Sequence, residues 1–108
     1  MASDEGIYRV FVDPAANDRM AEHFEFLAKV NRSAASKLLN GLIGDIRSLE
    51  KIPLRNPVYD RPYLPSLKYR NMVSNKCYRI VYQAVDDVVF VDDIQDARQS
   101  DDKSLLNL

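Results

Sequence analysis

The residues with most chemistry to offer lie in the second half of the chain: Lys68, Tyr69, Arg70, Lys76, Tyr78, Arg79, Tyr82 and Arg98. Arginine presents a planar fork to phosphate oxygens, which lysine cannot do. A set of cations and tyrosines of this kind suits a phosphodiester: it holds the backbone and stabilises charge building on phosphorus and on the attacking or leaving oxygen. Arg79, Arg98 and Arg70 are candidates for stabilising that charge, and Lys68, Lys76 and Tyr82 for holding a nucleic-acid backbone. Arginine stays protonated up to a pKa of about 12 and is no base. RNA cleavage by this set would therefore rest on electrostatics and on placing the 2′-hydroxyl in line with the phosphate.

Other chemistries are excluded by composition. One cysteine (Cys77) and one histidine (His23) make no zinc site of the usual kind. No Gly-rich phosphate loop or nucleophile elbow occurs. The acidic pairs Asp86-Asp87, Asp92-Asp93 and Asp101-Asp102 read as turns, strand and tail, and alternation sends Asp92 and Asp93 to opposite faces of a strand. No cofactor is expected and no metal site. Cys77 reads as a buried small hydrophobe, and His23 as a partly exposed helical residue.

The net charge of −1 hides an uneven distribution. Residues 51–79 carry Lys51, Arg55, Arg61, Lys68, Arg70, Lys76 and Arg79 against Asp60 alone. The flanking segments are acidic, most of all the stretch from Asp86 to Asp102. A basic block inside a neutral protein is the footprint of a polyanion site, or else a solvated loop and edge strand.

The elements that must position these residues are readable. A chain of 108 residues with 46% hydrophobic residues fits one domain, residues 1–108, with a core of its own. No apolar run is long enough to span a membrane, and residues 1–6 lack the apolar segment of a signal peptide and read as disordered. A cytoplasmic protein is expected. Ile7–Val12 alternates as a strand, and Asp13-Pro14 caps a helix with Met20, Phe24, Leu27 and Ala28 on one stripe. Asn31 or Ser33 caps a second helix, with Ala35, Leu38, Leu39, Leu42, Ile46 and Leu49 on one face, running to about Lys51. Gly41 and Gly44 inside it suggest close helix–helix approach. Residues 53–66 hold Pro53, Pro57, Pro62 and Pro65 and read as an extended connector. Strands follow at about Leu67–Val73, Cys77–Val85 and Val88–Ile94, turning at Ser74-Asn75 and Asp86-Asp87. Residues 100–108 read as a tail or short helix. In the middle strand Tyr78, Ile80 and Tyr82 share one face, and Arg79, Val81 and Gln83 the other. Arg79 would then be free on an open face or ion-paired there, for instance with Asp93, while Arg98 has acidic neighbours to pair with. The fold class is α+β, in the order β-α-α-β-β-β, with two antiparallel helices packed on one face of an antiparallel sheet.

This order resembles the RelE/ParE superfamily of toxins from bacterial type II toxin–antitoxin systems. The residues that carry the resemblance are Tyr8-Arg9-Val10 leading to Asp13-Pro14-Ala15, the helix close Leu49-Glu50-Lys51-Ile52-Pro53, Tyr69-Arg70-Asn71-Met72-Val73, Tyr78-Arg79-Ile80-Val81-Tyr82-Gln83, and the ending Val91–Gln99. The resemblance spans residues 7–102. It implies a toxin that arrests growth and is held inactive by a cognate antitoxin, as a hetero-oligomer with it or as a homodimer. RelE-like members imply metal-independent mRNA cleavage on the ribosome, and ParE-like members imply inhibition of DNA gyrase. A third reading is an antitoxin-binding homologue without activity. The resemblance makes Arg79 the arginine that contacts the scissile phosphate and Arg98, or Gln99 one position on, the terminal arginine. Arg70 falls where the nucleases carry a lysine. Met72 stands where a second lysine would fall, and no tyrosine or histidine follows Tyr82.

Overall fold

The computed structural model describes residues 7–99 and 103–106. The expected readings of residues 1–6 and of most of the 100–108 tail lie outside the described residues. The elements are strand β1 (Arg9–Val12), helices α1 (Pro14–Ala28) and α2 (Arg32–Ser48), a 3₁₀ turn at Pro53–Arg55, and strands β2 (Arg70–Ser74), β3 (Tyr78–Val85) and β4 (Val88–Asp96).

Both helices begin as their sequences dictate. The Asp13 side chain accepts from the Ala15 amide at 2.9 Å with Pro14 in the first turn, and Asn31, rather than Ser33, accepts from Ala34 at 3.0 Å. Helix α2 ends at Ser48, short of Lys51, and the chain breaks at Ile52, whose φ of 50° is left-handed. A β-branched residue does not hold that conformation without support. The support is the next residue: Pro53 is buried and its carbonyl accepts the Tyr82 hydroxyl.

The sheet order is β1-β4-β3-β2. β2, β3 and β4 are antiparallel, as expected, but β1 lies parallel to β4, with Arg9 opposite Val88 and Val12 opposite Val91. The sheet is therefore mixed rather than wholly antiparallel. The helical crossover between β1 and the rest of the sheet makes this parallel pairing reachable. The helices cover one face, where Tyr8, Met20, Leu38, Leu42, Ile46, Ile80, Tyr82, Val89, Val91 and Ile94 form the core.

Gly41 answers to a different neighbour from the one expected. A Cβ there would come within 2.5 Å of the Asn75 side chain, so Gly41 admits the β2–β3 turn, while a Cβ at Gly44 would meet open space. His23 also departs from expectation. It is buried, its Nε2 lies 2.8 Å from the Ile94 carbonyl, and its ring meets Tyr78 edge-on.

A bulge bends β4. Val81 opposes Asp93, but Tyr82 opposes Val91, leaving Asp92 as the extra residue. Simple alternation fails here. Asp92 accepts from Gln83 at 2.7 Å and Asp93 from Gln95 at 2.9 Å, both on the side away from the helices.

Candidate functional site

The side of the sheet away from the helices is built on Arg79, Val81 and Gln83 of β3, as alternation requires. It is less open than the sequence implies. The proline-rich connector folds back on it, so Tyr59 and Tyr69 are buried with Val81, and Leu64 and Leu106 pack against them. Backbone bonds fix the connector: the Tyr59 amide donates to the Tyr69 carbonyl at 2.8 Å and the Asn71 amide to the Pro57 carbonyl at 3.0 Å.

On this small aromatic floor three cations gather. The Arg61 and Arg79 guanidiniums lie 4.4 and 5.3 Å from the centre of the Tyr59 ring, and the Lys68 ammonium 5.4 Å from that of Tyr69. Arg79 does not pair with Asp93. Among the described residues its one polar contact is a long 3.5 Å bond from Nη1 to Gln95 Oε1, and its Nε is buried without a partner there. Asp93 instead faces Arg19, at 3.7 Å. A guanidinium so placed retains donors for an anionic group.

The other predicted cations lie elsewhere. Arg70 stands opposite Tyr82, on the helix side of the sheet, and donates to the Asn56 carbonyl at 2.7 Å, which pins the connector. The β2 residues on Arg79's own side are Asn71 and Val73, the latter opposite Arg79. Tyr82 is fully buried, donates to Pro53 and accepts from Asn56 at 3.0 Å. It has no surface for RNA, so its assignment to RNA binding is corrected to a place in the core. Arg98 pairs with Asp96 at 2.7 Å and lies over the Tyr78 ring at 5.8 Å, again on the helix side of β3. Gln99 lines a cleft of about 380 Å³ there, with Arg19, Glu22, His23, Phe26 and Lys103. Lys76 is exposed in the β2–β3 turn. The structure thus brings Arg79 and Lys68 to the tyrosine floor, and places Arg70, Arg98, Gln99 and Lys76 away from it.

Electrostatics follow this division. Burial, and then the charge of Asp92, raise the Tyr69 phenol. Burial raises Asp92 despite its bond from Gln83 and the charge of Lys68. On the helix side, the hydrogen bond from Arg98 holds the Asp96 carboxyl below its ordinary value, and the same bond raises Arg98. Arg98 is spent on Asp96, whereas Arg79 is not spent on any acid among the described residues. No group of three or more metal-ligating side chains occurs among the described residues.

Sequence reasoning missed Tyr59, Arg61 and Gln95. Tyr59 and Arg61 sit in a segment whose prolines mask any periodicity, and only the aromatic among them signals burial. Gln95 was within reach, because it faces Arg79 across the β3–β4 pair.

A helical pair on one side of a four-stranded mixed sheet defines the fold class. Among solved structures the chain is similar to one from the chromosomal ParDE TA system of P. aeruginosa, with a TM-score of 0.71, 8% identity, and 84% of this chain and 97% of that one covered. At that identity the likeness is one of fold, and the RelE/ParE-like fold expected from the sequence is present. No protein-family model matches the chain, and no curated protein sequence matches it.

Proposed function

We propose that this chain is the toxin component of a type II toxin–antitoxin pair of the RelE/ParE type, acting in the cytoplasm and restrained by a cognate antitoxin. The observation that carries the reading is the agreement of fold over 97% of a chain from a ParDE system. It is reached independently of the residue motifs that first suggested the same superfamily. Arg79 is the residue on which activity depends.

The geometry favours action by binding a macromolecular target, of the kind ParE-like toxins make with DNA gyrase, over cleavage of RNA. Arg70 and Arg98 face the helix side and are engaged by Asn56 and Asp96, so they do not converge with Arg79 on one phosphate. The only histidine holds the Ile94 carbonyl in the core and is not placed to move a proton on the open side. Ribosome-associated mRNA cleavage is the second reading. It is favoured by the grouping of Arg61, Lys68 and Arg79 over Tyr59 and Tyr69, a surface suited to phosphate and base.

Induced expression in a bacterial host separates these. The expected result is growth arrest with intact mRNA, a DNA-damage response, inhibition of gyrase supercoiling by the purified protein, and relief by Arg79→Ala. Cleavage of translated mRNA within minutes would transfer the assignment to the nuclease reading. Absence of any arrest would remove the toxin reading.

A further inference from the structure

Gln95 is buried, and its amide is surrounded on both sides by groups that fix its orientation. Oε1 lies 3.2 Å from the Tyr59 hydroxyl and 3.5 Å from Arg79 Nη1, both donors. Nε2 lies 2.9 Å from Asp93 Oδ2 and 3.1 Å from Ser104 Oγ, both able to accept. The reverse orientation would set donor against donor at Arg79 and acceptor against acceptor at Asp93. The far side of this network is made by residues 103–106. Asp93 Oδ2 accepts from the Leu105 amide at 2.9 Å, Ser104 Oγ accepts from the Leu106 amide at 3.1 Å, and Leu106 packs on the floor formed by Tyr59, Tyr69 and Val81. Arg19 donates to the Lys103 carbonyl at 2.5 Å while facing Asp93. A short terminal segment thus holds on to the same amide that touches the guanidinium.

We propose that Lys103–Leu106 is a latch that presets Arg79 for its target, with Ser104 and Gln95 as positioning residues: Ser104 orients the Gln95 amide, and Gln95 holds the guanidinium over Tyr59. This rests on Arg79 being the working residue. Docked, the latch directs Oε1 to Arg79 Nη1 and keeps Nε buried against the floor. Undocked, Gln95 loses one of its acceptors and the floor loses Leu106, so the guanidinium is free to leave the ring.

The test is hydrogen exchange at the Arg79 Nε–H, read by NMR on the full chain. Ser104→Ala should speed that exchange about fivefold with amide signals elsewhere in the sheet unmoved, since one network bond is lost and local opening rises accordingly. Ser104→Thr should restore the original rate, and Gln95→Met should reproduce the Ser104→Ala effect. If Ser104→Ala frees the amides of 103–106 while Arg79 is unchanged, the latch is only an anchor for the terminus and the proposal is overturned. If Ser104→Ala does not fold, Leu106→Ala is judged by the same criterion. In the growth assay Ser104→Ala should weaken arrest and Ser104→Thr retain it. Should the wild-type chain cause no arrest, the toxin reading falls, while the exchange rates still decide whether the latch positions Arg79.

Discussion

The two faces of strand β3 use the same backbone to opposite ends. On the helix side Tyr78, Ile80 and Tyr82 are buried in a broad core, and the cations nearby are already engaged, Arg70 by the Asn56 carbonyl and Arg98 by Asp96. On the far side a single valine, Val81, is sealed by a small aromatic floor, and the guanidinium of Arg79 meets no acid among the described residues. The difference teaches that an arginine's neighbours, more than its type or its place in a motif, decide whether it stabilises the fold or remains available to a partner.

The sharpest way to break this comparison is to truncate the core on each side. Ile80→Ala should cost about 3–4 kcal/mol in urea unfolding, and Val81→Ala about 2 kcal/mol, because fewer atoms leave a smaller cluster. Equal losses would mean that the far side is a second core and not a lightly sealed surface.

Tyr82 and Arg79 sharpen it next. Tyr82→Phe removes the hydroxyl that holds Pro53 and should cost about 1–2 kcal/mol of stability while growth arrest, corrected for protein level, persists. Arg79→Ala should change stability by no more than about 1 kcal/mol, the scale of a cation–π contact and one long hydrogen bond, yet abolish arrest. A reversed pattern would exchange the roles assigned to the two faces.

Gly41→Ala tests how tightly the hairpin turn seats on α2. The added Cβ displaces the Asn75 side chain and should cost about 1 kcal/mol, and most of that loss should vanish in an Asn75→Ala background.

The smallest effects are in pH dependence, and they differ in sign between the faces. Asp96, held low by its bond from Arg98, contributes stability above the ordinary carboxylate range and loses it as pH falls through its lowered pKa, below about 4. The stability difference between wild type and Arg98→Ala should therefore close in acid. Asp92, raised by burial, binds its proton more tightly in the folded state. Its penalty is absent in acid, below the unfolded pKa of about 3.9, and full once pH exceeds its raised value. Asp92→Asn should then be more stable than wild type at neutral pH, by a margin that disappears in acid. A margin that grew in acid would contradict the assigned burial.

Element order, both helix caps, the two hairpins and the facing of β3 were legible because each depends on local chemistry: Asp13-Pro14, Asn31, the turn residues, and strict alternation through Tyr78–Gln83. The pairing of Arg98 within its acidic stretch was legible for the same reason. What escaped depends on contacts distant in sequence. Arg70 was read as a partner of Arg79, but a register in which it faces Tyr82 puts it on the other side. The bulge at Asp92 defeats the alternation rule, and the burial of His23 requires β4 to lie beneath α1. The connector was the largest gap, since in a proline-rich segment the aromatic ring of Tyr59 signals burial but not that it lies beneath Arg79.

The parallel pairing of β1 with β4 has a consequence for synthesis. Arg9 finds its partner only at Val88, nearly at the other end of the chain. Such non-local closure is slow relative to helix formation and cannot begin until Val88–Val91 has left the ribosome. The helices and β1 therefore emerge first with their apolar stripes unsatisfied, and a chain that has not yet exposed β4 has neither a partner for Arg9 nor Gln95 beside Arg79.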